Sequence, residues 1–225
     1  MTKIQNLKVK IISLKFSQAC ENNKDPILNV LKKAFVNTKQ ILEVGSGTGQ
    51  HSVFFAEHLP HVLWQTSDLS VHHYSINTRK EESKLTNLFA PITLDLTQTW
   101  LSALKQSSLT QTPLSNSQTA TAVDGVFTAN TFHIISWSLV KNFFQETQIH
   151  LAKEGILCIY RPFNYQRKFT SESNAEFDKR LKLRDPESGI RDFEEVQSLA
   201  NQAGLTLIED HTMPANNRLL VFKKD

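Results

Sequence analysis

Three acidic residues stand at or near the ends of three short apolar runs in the first half of the chain: Glu43, Asp68 and Asp95. Glycines at alternate positions, 45, 47 and 49, follow the first of them. Glycine tolerates positive φ and lets a ligand approach the main chain closely. A helix that begins after such a turn presents unpaired N–H groups. Carboxylates accept hydrogen bonds from hydroxyl and amino groups. Together these residues predict a site for a nucleotide-like ligand.

The spacing of Gly45, Gly47 and Gly49 separates two kinds of nucleotide site. The dinucleotide fingerprint G-x-G-x-x-G needs its third glycine at position 50, where this chain has Gln50, which disfavours an NAD-dependent oxidoreductase. The pattern Glu-x-Gly-x-Gly-x-Gly instead resembles motif I of the class I methyltransferases, which bind S-adenosylmethionine (SAM). Gln50 and His51 begin the next helix, where they either contact the carboxylate of the cofactor or cap the helix.

The composition predicts one cytosolic domain. A chain of 225 residues with 40% hydrophobic residues can bury one sizeable core. The net charge of +3 comes from basic residues spread along the chain, which argues against a nucleic-acid surface. Two cysteines are expected to stay reduced. No apolar stretch reaches the length of a membrane span or forms a secretory signal, so no membrane association is expected.

Hydrophobic periodicity predicts strands alternating with helices. Asp25 and Pro26 are typical of a helix start, and Ser136 and Ser173 of two later ones. Asp192 is predicted to form a capping box at the start of the last helix. Gly155 is expected to end the helix that begins at Ser136. The predicted strands are 41–44, 61–66, 90–94, 125–129, 156–160, 205–208 and 218–222. Since the last two are joined by a short loop, they should pair antiparallel.

Three segments are predicted from this order of elements. Residues 1–24 form an N-terminal extension or lid, and residues 25–225 form the domain. Residues 105–122 are polar and nearly free of charge, which predicts a mobile surface insertion.

Asp68 ends the second strand beside the glycine turn, where it can accept both ribose hydroxyls. Asp95, followed by Leu96, is placed to accept from the amino group of an adenine. Helix capping is the alternative role for both acids.

Several peptides extend the resemblance beyond motif I. The chain is similar to the methyltransferase-like protein 26 family from about residue 17 to its C-terminus, most clearly at residues 17–28, 45–51, 64–68, 129–134, 173–178, 189–192 and 213–217. The resemblance implies a class I methyltransferase (Rossmann-like) α/β fold. Its seven-stranded sheet is mostly parallel, with an antiparallel C-terminal strand and helices on both faces. The family implies SAM as the cofactor and no particular substrate.

The chain departs from the family pattern at two positions. Asn22 stands where an arginine is usual, which weakens an anionic contact near the N-terminal segment. Arg161 stands where a glycine is usual, at the end of the fifth predicted strand. Because a cation beside a sulfonium is unfavourable, Arg161 is expected to point away from the cofactor or to meet an acidic group.

His133 is the candidate general base, because it follows the fourth predicted strand and titrates in a useful range. The alternative is a histidine that packs against the cofactor without proton transfer. Asn130 is expected to contact the amino-acid tail of the cofactor or the acceptor. It is not followed by Pro-Pro-Tyr, the signature of enzymes that methylate nucleobase amines, which argues against nucleic acid as the substrate.

Polar residues of the family peptides are candidates for the acceptor pocket, with Asn23 and Lys24 as a lid and Tyr160 at the end of the fifth strand. The others are Asn174, Asp178, Arg191, Asn216 and Asn217. The alternative is that they tie loops together through hydrogen bonds to the backbone. No metal site is expected, because the paired histidines lack further ligands at zinc spacing.

Two hypotheses follow from the sequence. The first is a SAM-dependent methyltransferase acting on a small-molecule acceptor. The second is a SAM-binding module without turnover that acts through a partner. The oligomeric state stays open.

Overall fold

A computed structural model describes residues 14–111 and 121–225 of the chain. The predictions for residues 1–13 and 112–120, which belong to the expected lid and to the polar tract, lie outside the described residues. The strands are β1 (Gln40–Val44), β2 (Leu63–Asp68), β3 (Leu88–Thr93), β4 (Val123–Ala129), β5 (Leu151–Arg161), β6 (Phe163–Asn164), β7 (Arg191–Asp192), β8 (Leu205–Met213) and β9 (Asn217–Lys224).

Seven of these strands form one sheet in the order β3-β2-β1-β4-β5-β9-β8. β1 pairs in parallel with β2 and β4, β2 pairs in parallel with β3, and β4 in parallel with β5. β9 runs antiparallel to both of its neighbours, β5 and β8. The predicted sheet, mostly parallel with an antiparallel C-terminal strand, is therefore confirmed. The carboxyl ends of β1 to β5 share one edge, where ligands bind in open α/β sheets.

Helices cover both faces of the sheet and bury two apolar cores. The helices are α1 (Gln18–Ala34), α2 (Gln50–His58), α3 (His73–Ser83), α4 (Leu101–Lys105), α5 (Trp137–His150), α6 (Glu172–Arg184) and α7 (Phe193–Gln202). On one face, α1 and α2 pack Leu31 and Phe55 around Trp64 of β2. On the other face, α5 and α7 pack Phe143 and Val196 together. Within the residues described, no helix has the length and apolar character to cross a membrane.

The first helix begins earlier than its sequence predicts. The Ser17 hydroxyl accepts from the Cys20 backbone N–H, so α1 already starts at Gln18, and Pro26 lies inside it. Asp25 and Pro26 are strong local start signals, but the packing of Ile27 and Leu31 against α2 stabilises the longer helix. The part of the predicted lid from residue 18 to 24 is thus continuous with the first helix of the domain.

Three other predicted helix ends differ from those in the structure. Gly155 lies inside β5 and does not close α5, which ends at His150. Ser171, two residues before the expected cap Ser173, accepts the capping hydrogen bond of α6. Asp192 is the N-cap residue of α7 but makes no capping hydrogen bond through its side chain, and its backbone pairs with Asn164 in the short β6–β7 sheet.

The start of the polar tract contains buried side chains. Ser107 and Leu109 are buried, and the Ser107 hydroxyl donates to Gln65 of β2 at 2.7 Å. Thr121, where the described structure resumes, is buried as well. The prediction that residues 105–122 form a mobile surface insertion stays a prediction.

Candidate functional site

A cavity of about 460 Å³ lies at the carboxyl edge of the parallel strands. The predicted residues that line it are Gly45, Gly47, His51, Asp68, Asp95, Leu96 and Asn130. They come from the ends of β1, β2, β3 and β4 and from the first turn of α2. Most of the predicted cofactor residues are thus brought together, whereas Glu43, Gly49 and Gln50 do not line the cavity.

The glycine turn is shaped by positive backbone angles. Gly45 has φ of +79°, and a Cβ atom there would lie 2.5 Å from the Thr131 hydroxyl oxygen. At Gly47, φ is +57° and a Cβ atom would meet nothing closer than a carbonyl oxygen at 4.0 Å, so this residue opens onto free space. Gly49 takes the left-handed conformation as the N-cap of α2. The turn therefore exposes main chain to the cavity, as its sequence predicts.

Glu43 supports the turn from below instead of facing the cavity. It is 2% exposed, and its Oε2 accepts hydrogen bonds from Trp64 Nε1 at 2.9 Å, from the Ser46 hydroxyl at 3.1 Å and from the Ser52 hydroxyl. Burial raises the pKa of its carboxyl group, while these hydrogen bonds lower it. Every residue of β1 is buried, and the hydrogen bonds of the Glu43 carboxylate are all made to protein groups of the surrounding core and turn. The expectation that three carboxylates converge on the ligand needs correction, because only Asp68 and Asp95 reach the cavity.

Asp68 links the second strand to the glycine turn. Its Oδ2 accepts from the Gly47 backbone N–H and its Oδ1 from the Leu69 backbone N–H, both at 2.7 Å. Its side chain remains 12% exposed, and His72 Nε2 lies 3.9 Å from Oδ1. Each carboxylate oxygen has two lone pairs, so both oxygens can accept a further hydrogen bond from a ligand.

Asp95 and Asn130 form other parts of the cavity wall. Asp95 Oδ1 accepts from the Thr97 backbone N–H at 2.9 Å, which fixes the carboxylate after β3. Asn130 follows β4 with φ of +60°, and its N–H donates to the Tyr160 carbonyl at 2.9 Å. Asparagine tolerates this left-handed angle better than most residues. The chain therefore leaves the sheet sharply at Asn130 and turns along the cavity.

Gln50 fastens the start of α1 to the glycine turn. Its Oε1 accepts from the Ser17 backbone N–H at 2.7 Å, while its Nε2 donates to the Ser17 carbonyl at 3.3 Å and to Glu21 at 3.0 Å. Arg79 donates to the carbonyls of both Lys15 and Thr48. Since Ser17 lines the cavity, Gln50 acts on the cavity wall without touching its interior.

His51 is buried and lines the cavity. Its Nε2 lies 2.6 Å from Asn23 Oδ1, and its ring stacks on Phe55 at 5.1 Å between centroids. Burial lowers the pKa of His51 to about 4, so the ring is neutral near pH 7. Because the amide oxygen of Asn23 can only accept a hydrogen bond, Nε2 carries the single proton of the neutral ring, and Nδ1 is left as a hydrogen-bond acceptor.

His133, the expected general base, does not line the cavity. It is 6% exposed and packs edge-on against Phe177 of α6. Burial, with the nearby charges of Arg161 and Arg191, lowers its pKa to about 3. A group with this pKa is a poor proton acceptor near pH 7. The prediction of His133 as the general base is therefore not supported by its position or its protonation, because its ring faces α6.

The acceptor-pocket candidates of the tail peptides mostly tie loops together. Asn174 donates to the Asn216 carbonyl, and Asn216 Nδ2 to the Ser173 hydroxyl. Asn217 donates to the carbonyls of Pro214 and Ala215. None of these three asparagines lines the cavity. These contacts agree with the alternative role given above, in which the residues tie loops together through hydrogen bonds.

The remaining pocket candidates also lie outside the cavity. Asp178 accepts from the Ile190 backbone N–H, and Arg191 donates to the carbonyls of Phe132 and Ile135. Lys24 pairs with Glu21 and lies over the Phe54 ring. Tyr160 is 2% exposed, and burial raises its pKa to about 12. Asn23 does not line the cavity, but its Oδ1 contacts Nε2 of His51, which does.

Arg161 is fully buried at the end of β5 and does not line the cavity. Its guanidinium lies against the Phe163 ring, and Asp178 is the acidic group whose charge acts on it. The expectation that it points away from the cofactor cavity agrees with this position. Asn22 has no evident structural consequence: among the described residues, its side chain accepts a hydrogen bond from Gln18 of the same helix.

Several residues that line the cavity were not among the predicted site residues. They are Ser17, Cys20, Leu69, His72, Thr131, Ile134, Ile135 and Leu139. Leu69 stands directly after an acid, as Leu96 does, and this shared position was a usable signal. Ser17 and Cys20 were not recognisable, because their role depends on the docking of α1.

Solved structures of methyltransferases share this fold. An O-methyltransferase family protein from Burkholderia thailandensis matches 90% of this chain with a TM-score of 0.72 at 13% identity. Human N-acetylserotonin methyltransferase in complex with SAM matches 92% with a TM-score of 0.71 at 10% identity. An O-methyltransferase from neocarzinostatin biosynthesis, in complex with SAM and 2-hydroxy-5-methyl naphthoic acid, matches 92% with a TM-score of 0.68 at 14% identity.

The chain spans a little over half the length of these three proteins, 56%, 53% and 55% in the same order. At such low identity the likeness shows the class I methyltransferase fold. Residues 14–224 match the sequence profile of a family that is described as "Protein of unknown function (DUF938)". This match covers most of the chain, and the chain therefore belongs to the DUF938 family.

Proposed function

We propose that this protein is a SAM-dependent methyltransferase that acts on a small-molecule acceptor. The observation that carries the proposal is the common cavity of the glycine turn and the carboxylates of Asp68 and Asp95. Main-chain access, two fixed carboxylates and apolar walls are the features that an adenosyl group with a polar tail requires.

The residues of the cavity fit this cofactor. The carboxylate of Asp68 retains free lone pairs and would accept both ribose hydroxyls. Asp95 would accept from the adenine amino group, with Leu69 and Leu96 as apolar neighbours of the ring. The open main chain at Gly47 and the neutral ring of His51 would meet the amino-acid tail.

SAM would supply a methyl group that is already activated by a positively charged sulphur. The tasks left to the protein are alignment of the acceptor and exclusion of water. Asn130 and Thr131 provide polar groups at the end of β4, and Ile134 and Ile135 provide an apolar wall beside them. This combination suits an acceptor with a polar reacting atom on an apolar body.

The similarity to solved structures supports a small-molecule acceptor. Solved structures with this fold include complexes with apigenin and with 2-hydroxy-5-methyl naphthoic acid. The resemblance to the methyltransferase-like protein 26 family agrees with the same activity and remains a prediction, as does a cytosolic location. Neither similarity identifies the acceptor of this chain.

A second candidate function is SAM binding without turnover. It is favoured by the position of His133, which is buried outside the cavity with a pKa of about 3. Acceptors that must lose a proton would then lack the predicted base. The two candidates share the cofactor site and differ only in product formation.

Calorimetry and a labelled-methyl screen test both candidates. S-adenosylhomocysteine (SAH) should bind the purified chain with one-site stoichiometry, and Asp68→Asn should weaken that binding. With tritiated-methyl SAM and fractionated small metabolites, the first candidate predicts a labelled product. Binding without any labelled product favours the second candidate, and the absence of SAH binding at millimolar concentration rejects both.

A further inference from the structure

The wall of the cavity offers no charged partner to a methyl acceptor. Among the described residues that line the cavity, the carboxylates are those of Asp68 and Asp95, and there is no lysine or arginine. The proposed function assigns both carboxylates to the cofactor. Because a charge that enters such a site without a partner is costly, the acceptor should be uncharged.

The volume of the cavity is sufficient for one ligand. Pockets that enclose a small molecule have about 300–1,000 Å³. This cavity, with about 460 Å³, lies in the lower half of that range. A cofactor that contacts Asp95, Asp68 and Gly47 would extend from the end of β3 to the glycine turn and occupy most of this volume. An acceptor can therefore enter only with its reacting end, and most of its body must lie outside.

Exposed apolar side chains surround the mouth of the cavity. Leu69 and Ile134 line the cavity and are nevertheless 46% and 57% exposed. Phe16 and Val71, which are 63% and 71% exposed, each directly precede a lining residue in the chain. We call these four residues the apolar rim. They come from three segments, before α1, after β2 and after β4, and a patch of this kind marks a binding surface more often than single scattered residues do.

Two residues of the apolar rim flank the part of the cavity that would receive the acceptor. Phe16 directly precedes the residue that Gln50 fastens beside the glycine turn, and Ile134 follows Asn130 in the loop after β4. Asn130 lines the cavity, and a side-chain amide can both donate and accept a hydrogen bond. An uncharged polar group at Asn130 would thus leave the rest of the acceptor beside apolar side chains.

We propose that the methyl acceptor is an uncharged molecule whose polar reacting end enters the cavity beside Asn130, while its apolar body stays outside against Phe16 and Ile134 of the apolar rim. This inference rests on the proposed function and adds the charge, the size and the position of the acceptor. It requires no movement of the cavity wall, since both rim side chains are already exposed.

Phenol, 4-ethylphenol and 4-butylphenol are suitable probes, because they share an uncharged polar end and differ in the length of the apolar body. 4-Butylbenzoate and 4-butylbenzylamine carry the longest of these bodies with a negative or a positive charge. Each probe is titrated by calorimetry into the full chain saturated with SAH, for the wild type, for Phe16→Ser, for Ile134→Ser and for the double variant.

Ile149→Ser is the matched control for Ile134→Ser. Ile149 is 54% exposed, close to the 57% of Ile134. It lies in the last turn of α5, which leads to the start of β5 at the opposite edge of the sheet. SAH affinity is measured first for every variant, so that each chain is saturated in the probe titrations.

The affinity should rise with the length of the apolar body. Full burial of a methylene group corresponds to about fourfold in affinity, and contact on one side to about twofold. 4-Butylphenol should therefore bind the wild type at least tenfold more tightly than phenol or either charged probe. Each single rim variant should lower the gain from phenol to 4-butylphenol below fivefold, and the double variant below twofold. Ile149→Ser should retain the full gain.

Four results overturn the inference: equal binding of phenol and 4-butylphenol, no binding of any phenol, a charged probe that binds as tightly as 4-butylphenol, or an undiminished gain in the rim variants. Binding that appears only after removal of residues 1–13 also overturns it, as does a dimer in sedimentation that Ile134→Ser dissociates, because the chain itself then covers the rim. All of these results leave the proposed function intact as long as SAH binds. A chain that does not bind SAH removes the proposed function, and the inference with it.

Discussion

Replacing Gly45 by alanine tests whether the glycine turn and the loop after β4 form one tightly packed unit. The new Cβ atom would lie 2.5 Å from the Thr131 hydroxyl oxygen. That oxygen cannot easily retreat, since it accepts from the Thr128 hydroxyl at 2.9 Å and lies 3.4 Å from the Val44 carbonyl. The substitution therefore combines backbone strain with a steric clash.

Both costs can be estimated. A non-glycine residue at the positive φ of Gly45 costs about 1–2 kcal/mol, and overpacking a filled site costs about 1–3 kcal/mol. The free energy of unfolding should therefore fall by about 2–5 kcal/mol, which corresponds to roughly 5–20 °C in Tm for a chain of this size. Gly204→Ala is the matched control, because Gly204 has φ of +70° and a Cβ atom there meets nothing within 4 Å.

Urea unfolding of four variants separates the two costs. Gly204→Ala should lose only the strain, about 1–2 kcal/mol. In a double-mutant cycle, Thr131→Ala should remove the clash, so Gly45→Ala combined with it should cost about 1–3 kcal/mol less than the sum of the single variants. A Gly45→Ala variant as stable as Gly204→Ala, or strictly additive effects at 45 and 131, would refute the packing argument.

Four further predictions concern the cavity and its surroundings. Asp68→Asn should weaken SAH binding ten- to hundredfold by calorimetry, because hydrogen bonds to a charged group contribute about 1.5–3 kcal/mol. Glu43→Gln should lower Tm and change the affinity much less; an affinity loss as large as that of Asp68→Asn would contradict the buried role of Glu43. Gln50→Ala should weaken SAH binding about three- to tenfold by loosening Ser17, and unchanged affinity would show that α1 does not shape the cavity. Burial lowers the pKa of His133 from 6.5 to about 3 in the folded chain, so the unfolded chain binds the proton first as the pH falls. The stabilising effect is complete above pH 6.5 and is lost toward pH 3; in urea unfolding, His133→Gln should remove about 2 kcal/mol of the stability lost between pH 7 and pH 5, and an identical pH dependence would contradict the burial of a neutral ring.

Local signals were sufficient for the sheet and for most of the cavity. The apolar runs of β1, β2 and β4 are bounded by acids, glycines or asparagine, which reflect backbone angles and strand ends. Asp68, Asp95 and Asn130 reach the cavity because strand ends of a parallel sheet share an edge. These three residues lie close together because of the topology of the sheet, and the alternation of strands and helices in the sequence is enough to predict this.

The directions of side chains and the docking of distant segments could not be predicted from local sequence signals. β1 is buried on both faces, so nothing in its pattern distinguishes a ligand-facing Glu43 from one that bonds Trp64 and Ser46. The direction of His133 depends on α6 and on residues 188–191, which are distant in the chain. The position of Ser17 depends on the amide of Gln50, which no local signal connects to it.

The structure of the chain in complex with SAH is the most direct measurement of the central claim. The account predicts that the ribose hydroxyls lie within hydrogen-bond distance of the Asp68 carboxylate and the adenine amino group within reach of Asp95. The sulphur atom should lie toward Asn130. An SAH molecule bound elsewhere, or bound with its ribose away from Asp68, would contradict the assignment of this cavity to an adenosyl-sulfonium cofactor.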